Sequence, residues 1–312
     1  MFGFFLVIPL VIIIITGNLL RVRGFYSQSD ISALTKTLYW VILPPLLFRT
    51  TYTAGKEVLT QPNLLIASTL CYILTLIAAF AISSFLHKGN KKQIAVSVFS
   101  SFRANNIYLG FPVVDLAMGA AGLHQASIYI AVTMVSFQLI SIASGDIVMY
   151  GKISGSGLCS IGRRLVTNPL IISCVLGVSA AMLKIPLHFV LDETMKLMSG
   201  AATAVALLAL GGTLDLSRLG RVMGILKATW SDAVIKLLIN PSIMYLLLLA
   251  FPVSKQLFQV TVMLSSMPCA VNCFILAKGM GMDGEYAADL VAATTLLGIV
   301  SIPFWAYAVG MA

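Results

Sequence analysis

Ser100-Ser101-Phe102-Arg103-Ala104-Asn105-Asn106-Ile107-Tyr108-Leu109-Gly110-Phe111-Pro112-Val113 is a polar interruption in an otherwise apolar segment. A cation, two adjacent amides, a Gly and a Pro fall in one short span at the depth of a bilayer. Lipid satisfies none of these groups, so such backbone is tolerated only when buried in protein or lining a wet cavity. An Arg at that depth costs about 2.5–3.5 kcal/mol on insertion scales and marks a functional site by default. A second interruption follows far downstream, Ser265-Ser266-Met267-Pro268-Cys269-Ala270-Val271-Asn272-Cys273-Phe274-Ile275. Each has Ser-Ser followed by Asn.

Composition supports the membrane reading. Of the 312 residues 59% are hydrophobic and 10% charged, and the mean hydropathy is +0.98. Soluble domains carry about a quarter charged residues, so a sizeable soluble domain is not expected. Five Cys give no disulfide framework. Cys269 and Cys273 share a helix face, but no His or carboxylate joins them, so no metal site is expected. The apolar start, Phe2 to Ile15, has no basic residue before it and no small-residue cleavage site, which predicts a retained helix and not a signal peptide. The net charge of +9 comes from cations in short loops, which report topology and not nucleic-acid binding.

Apolar runs of about 20 residues predict ten helices: 3–20, 31–52, 62–86, 93–115, 122–145, 165–183, 187–211, 224–250, 256–278 and 284–310. The order repeats. Pro9-Leu10 and Gly17 in the first helix match Pro169-Leu170 and Gly177 in the sixth. The two breaks match in the fourth and ninth, and Gly122 and Gly284 open the fifth and tenth. The expected organisation is a first five-helix repeat at 1–150, a Gly/Ser-rich cytoplasmic linker at 151–164 and a second repeat at 165–312. Five is odd, so the second repeat enters from the opposite side. Inverted repeats with sites on broken helices at mid-membrane are a recurring plan of secondary transporters.

Arg21, Arg23, Lys88, Lys91, Lys92, Lys152, Arg163, Arg164, Arg218, Arg221, Lys227 and Lys278 collect on one side. Lys56, Lys184 and Lys255 lie on the other, with Arg49 and Lys196 near helix ends. The richer side is expected to be cytoplasmic, with both termini outside a multi-pass cell-membrane protein.

A half-helix that restarts inside the membrane presents free N–H groups and a positive dipole end to an anion. Asn105 and Asn106 add donors, Arg103 adds a charge, and crossing breaks would bring Asn106 near Asn272. That set suits a carboxylate. The alternatives are that the Asn residues only cap the half-helices, and that Arg103 turns to the cytoplasm or pairs with Asp146 or Asp289. Tyr108 and Phe274 either wall the cavity or pack. Asp232 and Lys236, four apart, are expected to form an intrahelical pair, with a coupling role as the minority reading. Asn240-Pro241 predicts a bend, and Pro44-Pro45 and Gly211-Gly212 predict bends or close helix packing. No paired-His, Gly-rich phosphate or Asp-rich metal motif occurs, and His87, His124 and His188 are scattered, so an enzyme is not expected.

Several stretches in order resemble the auxin efflux carrier family, which includes plant PIN proteins and bacterial malate and malonate carriers. They are Leu43-Pro44-Pro45-Leu46-Leu47-Phe48, Asn105 through Pro112, Asn168-Pro169-Leu170-Ile171-Ile172 with Gly177, Ala206 through Leu214, Lys236-Leu237-Leu238 with Pro241, and Met267 through Ala277. The resemblance implies ten helices in a bile-acid-symporter-like fold, a scaffold moving against a transport domain as an elevator, and carboxylate binding where helices four and nine cross. Asn105 and Pro112 match the helix-four motif of PIN proteins, and Pro268 and Asn272 the Pro-x-Ala-Val-Asn pattern of bacterial members. Arg103 departs from the small or polar residue usual there, and the long loop of many plant members is absent.

The expected function is alternating-access transport of small organic carboxylates such as malate, malonate or auxin-like acids. Arg103, Asn105, Asn106, Tyr108, Asn272 and Phe274 are the candidate binding residues, and Gly110, Pro112 and Pro268 shape the crossover backbone. The alternatives are a sodium-coupled symporter of the bile acid type, or a non-transporting membrane enzyme or receptor subunit. No cofactor is expected, and the coupling ion, H+ or Na+, stays open. Expected partners are the organic anion and the bilayer, not nucleic acid; a homodimer stays open.

Overall fold

The apolar runs form helices because membrane backbone must satisfy its own hydrogen bonds. The computed structural model describes residues 2–152, 162–163, 165–214 and 222–311. Residues 153–161 and 164 of the expected linker, with Cys159, and the loop cations Arg218 and Arg221 lie outside them. The described residues form α1 (Phe2–Val22), α2 (Gln28–Thr37), α3 (Leu43–Ala54), α4 (Pro62–Leu86), α5 (Lys91–Ser100), α6 (Phe111–Tyr150), α7 (Pro169–Met182), α8 (Phe189–Gly200), α9 (Ala202–Thr213), α10 (Val222–Val234), α11 (Asn240–Ala250), α12 (Lys255–Ser266), α13 (Cys273–Gly279) and α14 (Gly284–Ala308).

Among the described residues, six helical stretches are long and apolar enough to cross a membrane: Gln28–Thr60, Pro62–Leu86, Asn106–Tyr150, Phe189–Thr213, Val222–Ala250 and Gly284–Ala308. Val7–Val22 and Pro169–Met182 are shorter apolar helices. The segments read at 93–115 and 256–278 are each interrupted, which leaves α5, α12 and α13 too short to span alone. The second half of the first one runs on into α6, with a kink at Gly119, whose φ of 59° is a left-handed conformation that Gly adopts without steric cost. Single π-turns precede α3, α6 and α11. Each leads into a Pro near the start of the next helix, whose missing N–H would otherwise break the ladder.

Helix pairing follows the small residues. α1 packs closely along α9, and α3 along α7. A Cβ at Gly17 would collide with the Leu208 carbonyl, and one at Gly177 with Thr51 Oγ1 and the Phe48 carbonyl. Those two Gly therefore set backbone-to-backbone contact. The two interruptions meet in the interior. Ala104 and Cys269 form an isolated antiparallel bridge, made by Asn105 N–H donating to the Pro268 carbonyl (2.8 Å) and Ala270 N–H to the Arg103 carbonyl (2.9 Å). Each break thus supplies the hydrogen bonds that the other lost.

Candidate substrate site at the paired breaks

The first break opens because α5 ends at Ser100 and the chain restarts at Asn105, whose Oδ1 accepts from Tyr108 N–H at 3.3 Å. That bond is an N-cap. Asn105 is 2% exposed, and among the described residues its Nδ2 has no hydrogen-bond partner; neither has the buried Oδ1 of the half-buried Asn106. Buried polar groups without partners are uncommon and costly. Here two amide atoms are left so at the start of one half-helix. Tyr108 is partly buried and packs against two apolar clusters. A Cβ at Gly110 would press on Leu264 at 2.7 Å, so Gly110 lets this half-helix lie against α12.

Arg103 is turned away from that start. Its Nη1 donates to Ser141 Oγ at 2.7 Å, and its guanidinium lies 4.7 Å from the Phe99 ring centre and 5.1 Å from that of Phe137. It is 3% exposed and its Nε has no partner among the described residues. The aromatic faces offset part of the cost of burying the charge.

The second break is held differently. Met267 is extended (φ −60°, ψ 147°), as the residue before a proline must be. The Ser265 carbonyl, freed by the break, accepts from Lys236 Nζ at 2.8 Å and Asn240 Nδ2 at 2.9 Å. Thr294 Oγ1 takes the Cys269 N–H at 3.1 Å. Pro268 sits against Gly298, where a Cβ would meet its ring at 2.7 Å. Asn272 is exposed and makes no side-chain cap to α13. Phe274 is 37% exposed.

The expectation that Asn106 and Asn272 come together needs correction. The residues that meet are Ala104 and Cys269, and their antiparallel bridge carries the two chains past each other. Asn106 and Asn272 therefore lie beyond opposite sides of it. Each side opens on its own cavity. Ile107 and Pro112 line one of 520 Å3 with Arg49, Asp115, His124 and Lys196. Val271 and Phe274 line the other, of 840 Å3, with Arg21, Lys92, Lys278 and Glu285.

The Asp232–Lys236 pairing is also overturned. Lys236 is fully buried and serves the second break, as above. Asp232 Oδ2 instead accepts from Ser97 Oγ (2.6 Å) and Tyr286 OH (2.7 Å), with His87 Nε2 at 3.9 Å. Helical spacing had put the two side chains on one face; tertiary partners drew them apart. Lys236, Asn240, Thr294 and Ser141 were not read from the sequence as supports of the breaks. The only available signal was that each is a polar residue in an apolar run.

The sequence profile of one family, described as membrane transport protein, matches residues 157–306. The chain is 26% identical over 312 residues to an "Uncharacterized transporter" of Methanothermobacter thermautotrophicus, covering 96% of each chain. It is 27% identical over 305 residues to a "Putative malonate transporter" of Rhizobium meliloti, covering 95% of this chain and 92% of the other. It is 22% identical over 318 residues to "Auxin efflux carrier component 5" of Arabidopsis thaliana, covering 91% and 90%. With its helices long and apolar enough to span a bilayer, the chain is a multi-pass membrane protein whose residues 157–306 match the membrane transport protein family, in line with its resemblance to the auxin efflux carriers.

Proposed function

We propose that this protein is a secondary transporter of small organic carboxylates, working by alternating access. The observation that carries the reading is the paired breaks. At the first, the donor Asn105 Nδ2 is buried without a partner among the described residues beside a half-helix N-terminus, where a carboxylate is favoured by free N–H groups and the dipole. Asn105, through its amide, and Asn106, through its own Nδ2, donate to the anion there. Asn272 offers an amide to the acid at the other approach, beyond the bridge, and Tyr108 and Phe274 wall the two approaches. Gly110, Pro112 and Pro268 hold the backbone in place. Arg103 contributes positive charge through a low-dielectric interior and contacts a second carboxylate only on leaving Ser141.

The architecture we infer is ten transmembrane segments in two inverted repeats, 1–150 and 165–312, joined at 151–164, with the basic side cytoplasmic. Three features support it. An antiparallel bridge has local two-fold symmetry, as an inverted repeat requires at its crossing. Gly17 against α9 and Gly177 against α3 are 160 positions apart in the sequence and make corresponding contacts. The two cavities, one beside each restarted half-helix, provide two approaches to one crossing. The similarity to a protein named as a malonate transporter favours a dicarboxylate within the class.

The test is uptake into proteoliposomes of labelled malonate, malate and a monocarboxylate. The expected result is saturable accumulation of unmodified acid that protein-free vesicles lack. Conversion of the acid, or no uptake of any of them, would sink the proposal.

A further inference from the structure

Asp232 is a buried carboxylate that the substrate site does not use. It is 2% exposed. Oδ2 takes hydrogen bonds from Ser97 on α5 and Tyr286 on α14, while Oδ1 is buried with no partner among the described residues. One route leads outward from it. Tyr286 OH lies 3.1 Å from His87 Nε2, and His87, just past the end of α4, keeps 12% of its side chain exposed. The other charged or titratable neighbours are Lys236 one turn along, Asp283 beside Tyr286, and Cys269 at the second break. We infer that Asp232 is the site of a coupling proton, delivered through His87, for the transporter proposed above; the inference rests on that reading.

Chemistry favours a proton over a metal cation. Ser97 and Tyr286 turn their hydrogens toward Oδ2, the Lys236 ammonium is one turn away, and the outward route is an imidazole, a proton carrier at neutral pH. Oδ1 is the free acceptor. In the step, His87 imidazolium gives its Nε2 proton, directly or through Tyr286 OH, to Asp232; a new O–H bond forms, the His87 N–H bond breaks, and the imidazole is left neutral. The charge change is placed to act on both breaks. Ser97 lies three residues before the end of α5, and Lys236, on the same helical stretch as Asp232, holds the Ser265 carbonyl. Loss of the Asp232 charge weakens the charge-assisted bond from Ser97 and changes the charge one helical turn from Lys236.

Two measurements decide this. The first uses proteoliposomes with the membrane potential held at zero and labelled malonate as probe. With one proton coupled per substrate, wild type accumulates malonate about ten-fold per unit of pH gradient. Asp232→Asn loses that accumulation and keeps malonate–malonate exchange at equal pH. Wild-type exchange that ignores a pH gradient, accumulation driven by a sodium gradient instead, or an Asp232→Asn variant that still accumulates would each overturn the proton site. Wild type with no malonate exchange counts against the transport reading, not against Asp232. The second needs neither substrate nor variant. Dicyclohexylcarbodiimide, an apolar reagent for protonated carboxyls, should modify Asp232 in the purified wild type, less as pH rises and equally with or without sodium. Protection by sodium, or no modification down to acid pH, overturns the inference even if Asp232→Asn does not fold.

Discussion

The two breaks differ in how their freed groups are met. At the first, Asn105 caps its own half-helix and leaves two buried amide atoms, its Nδ2 and Asn106 Oδ1, unmet. At the second, Lys236, Asn240 and Thr294 reach in from other helices to satisfy Ser265 and Cys269, while Asn272 faces open space. The sequences match, Ser-Ser followed by Asn, but one break is underfilled and the other braced. Binding capacity therefore resides more in the first break and mechanical coupling more in the second.

The largest effect is expected from removing the close approach of α3 and α7. Gly177→Val would drive side-chain atoms into Thr51 and the Phe48 carbonyl. Overpacking costs about 1–3 kcal/mol and more against backbone, so the thermal midpoint in detergent should fall sharply. An unchanged midpoint would mean that α3 and α7 are not in that contact. Next comes the brace. Asn240→Leu deprives the Ser265 carbonyl of one donor and Thr75 Oγ1 of its acceptor, an expected loss of about 1–3 kcal/mol. Asn272→Ala should leave the thermal midpoint alone. If the two variants behave alike, the brace is not what distinguishes the second break.

Arg103 sharpens the comparison on the binding side. With the guanidinium held by Ser141 and two aromatic rings, Arg103→Gln should weaken dicarboxylates more than monocarboxylates, with Arg103→Lys between them because it keeps the charge and loses the fork. Competition against labelled malonate in each variant measures this. Equal losses for both classes would reduce Arg103 to a structural charge.

The breaks themselves were legible in the sequence because an unbroken membrane helix does not accommodate a Pro, a Gly, adjacent amides and a cation within one apolar run. The partners of the breaks were not. Asn240 reads as a kink signal beside Pro241, and Thr294 as one more small residue in a helix. Asp232 and Lys236 read as an i, i+4 pair, yet Asp232 is claimed by Ser97, 135 positions away, and Tyr286, 54 away. Helical periodicity also stops at a break. The rotational phase of α13 after Met267-Pro268 is set by the bridge, so the exposure of Asn272 and its separation from Asn106 could not be read from spacing. The joint between α8 and α9 at Ala201, in what read as one segment at 187–211, is marked in the sequence only by the adjacent Gly200.

The most direct test of an underfilled break facing a braced one is the malonate KM of uptake for Asn106→Ala and Asn272→Ala, measured side by side with the wild type. A buried amide bonded to a charged group contributes about 1.5–3 kcal/mol, and an ordinary hydrogen bond about 0.5–1.5 kcal/mol. Asn106→Ala should therefore raise KM about ten-fold or more, and Asn272→Ala only a few-fold. A wild-type KM for Asn106→Ala, or a larger rise for Asn272→Ala, would contradict the account.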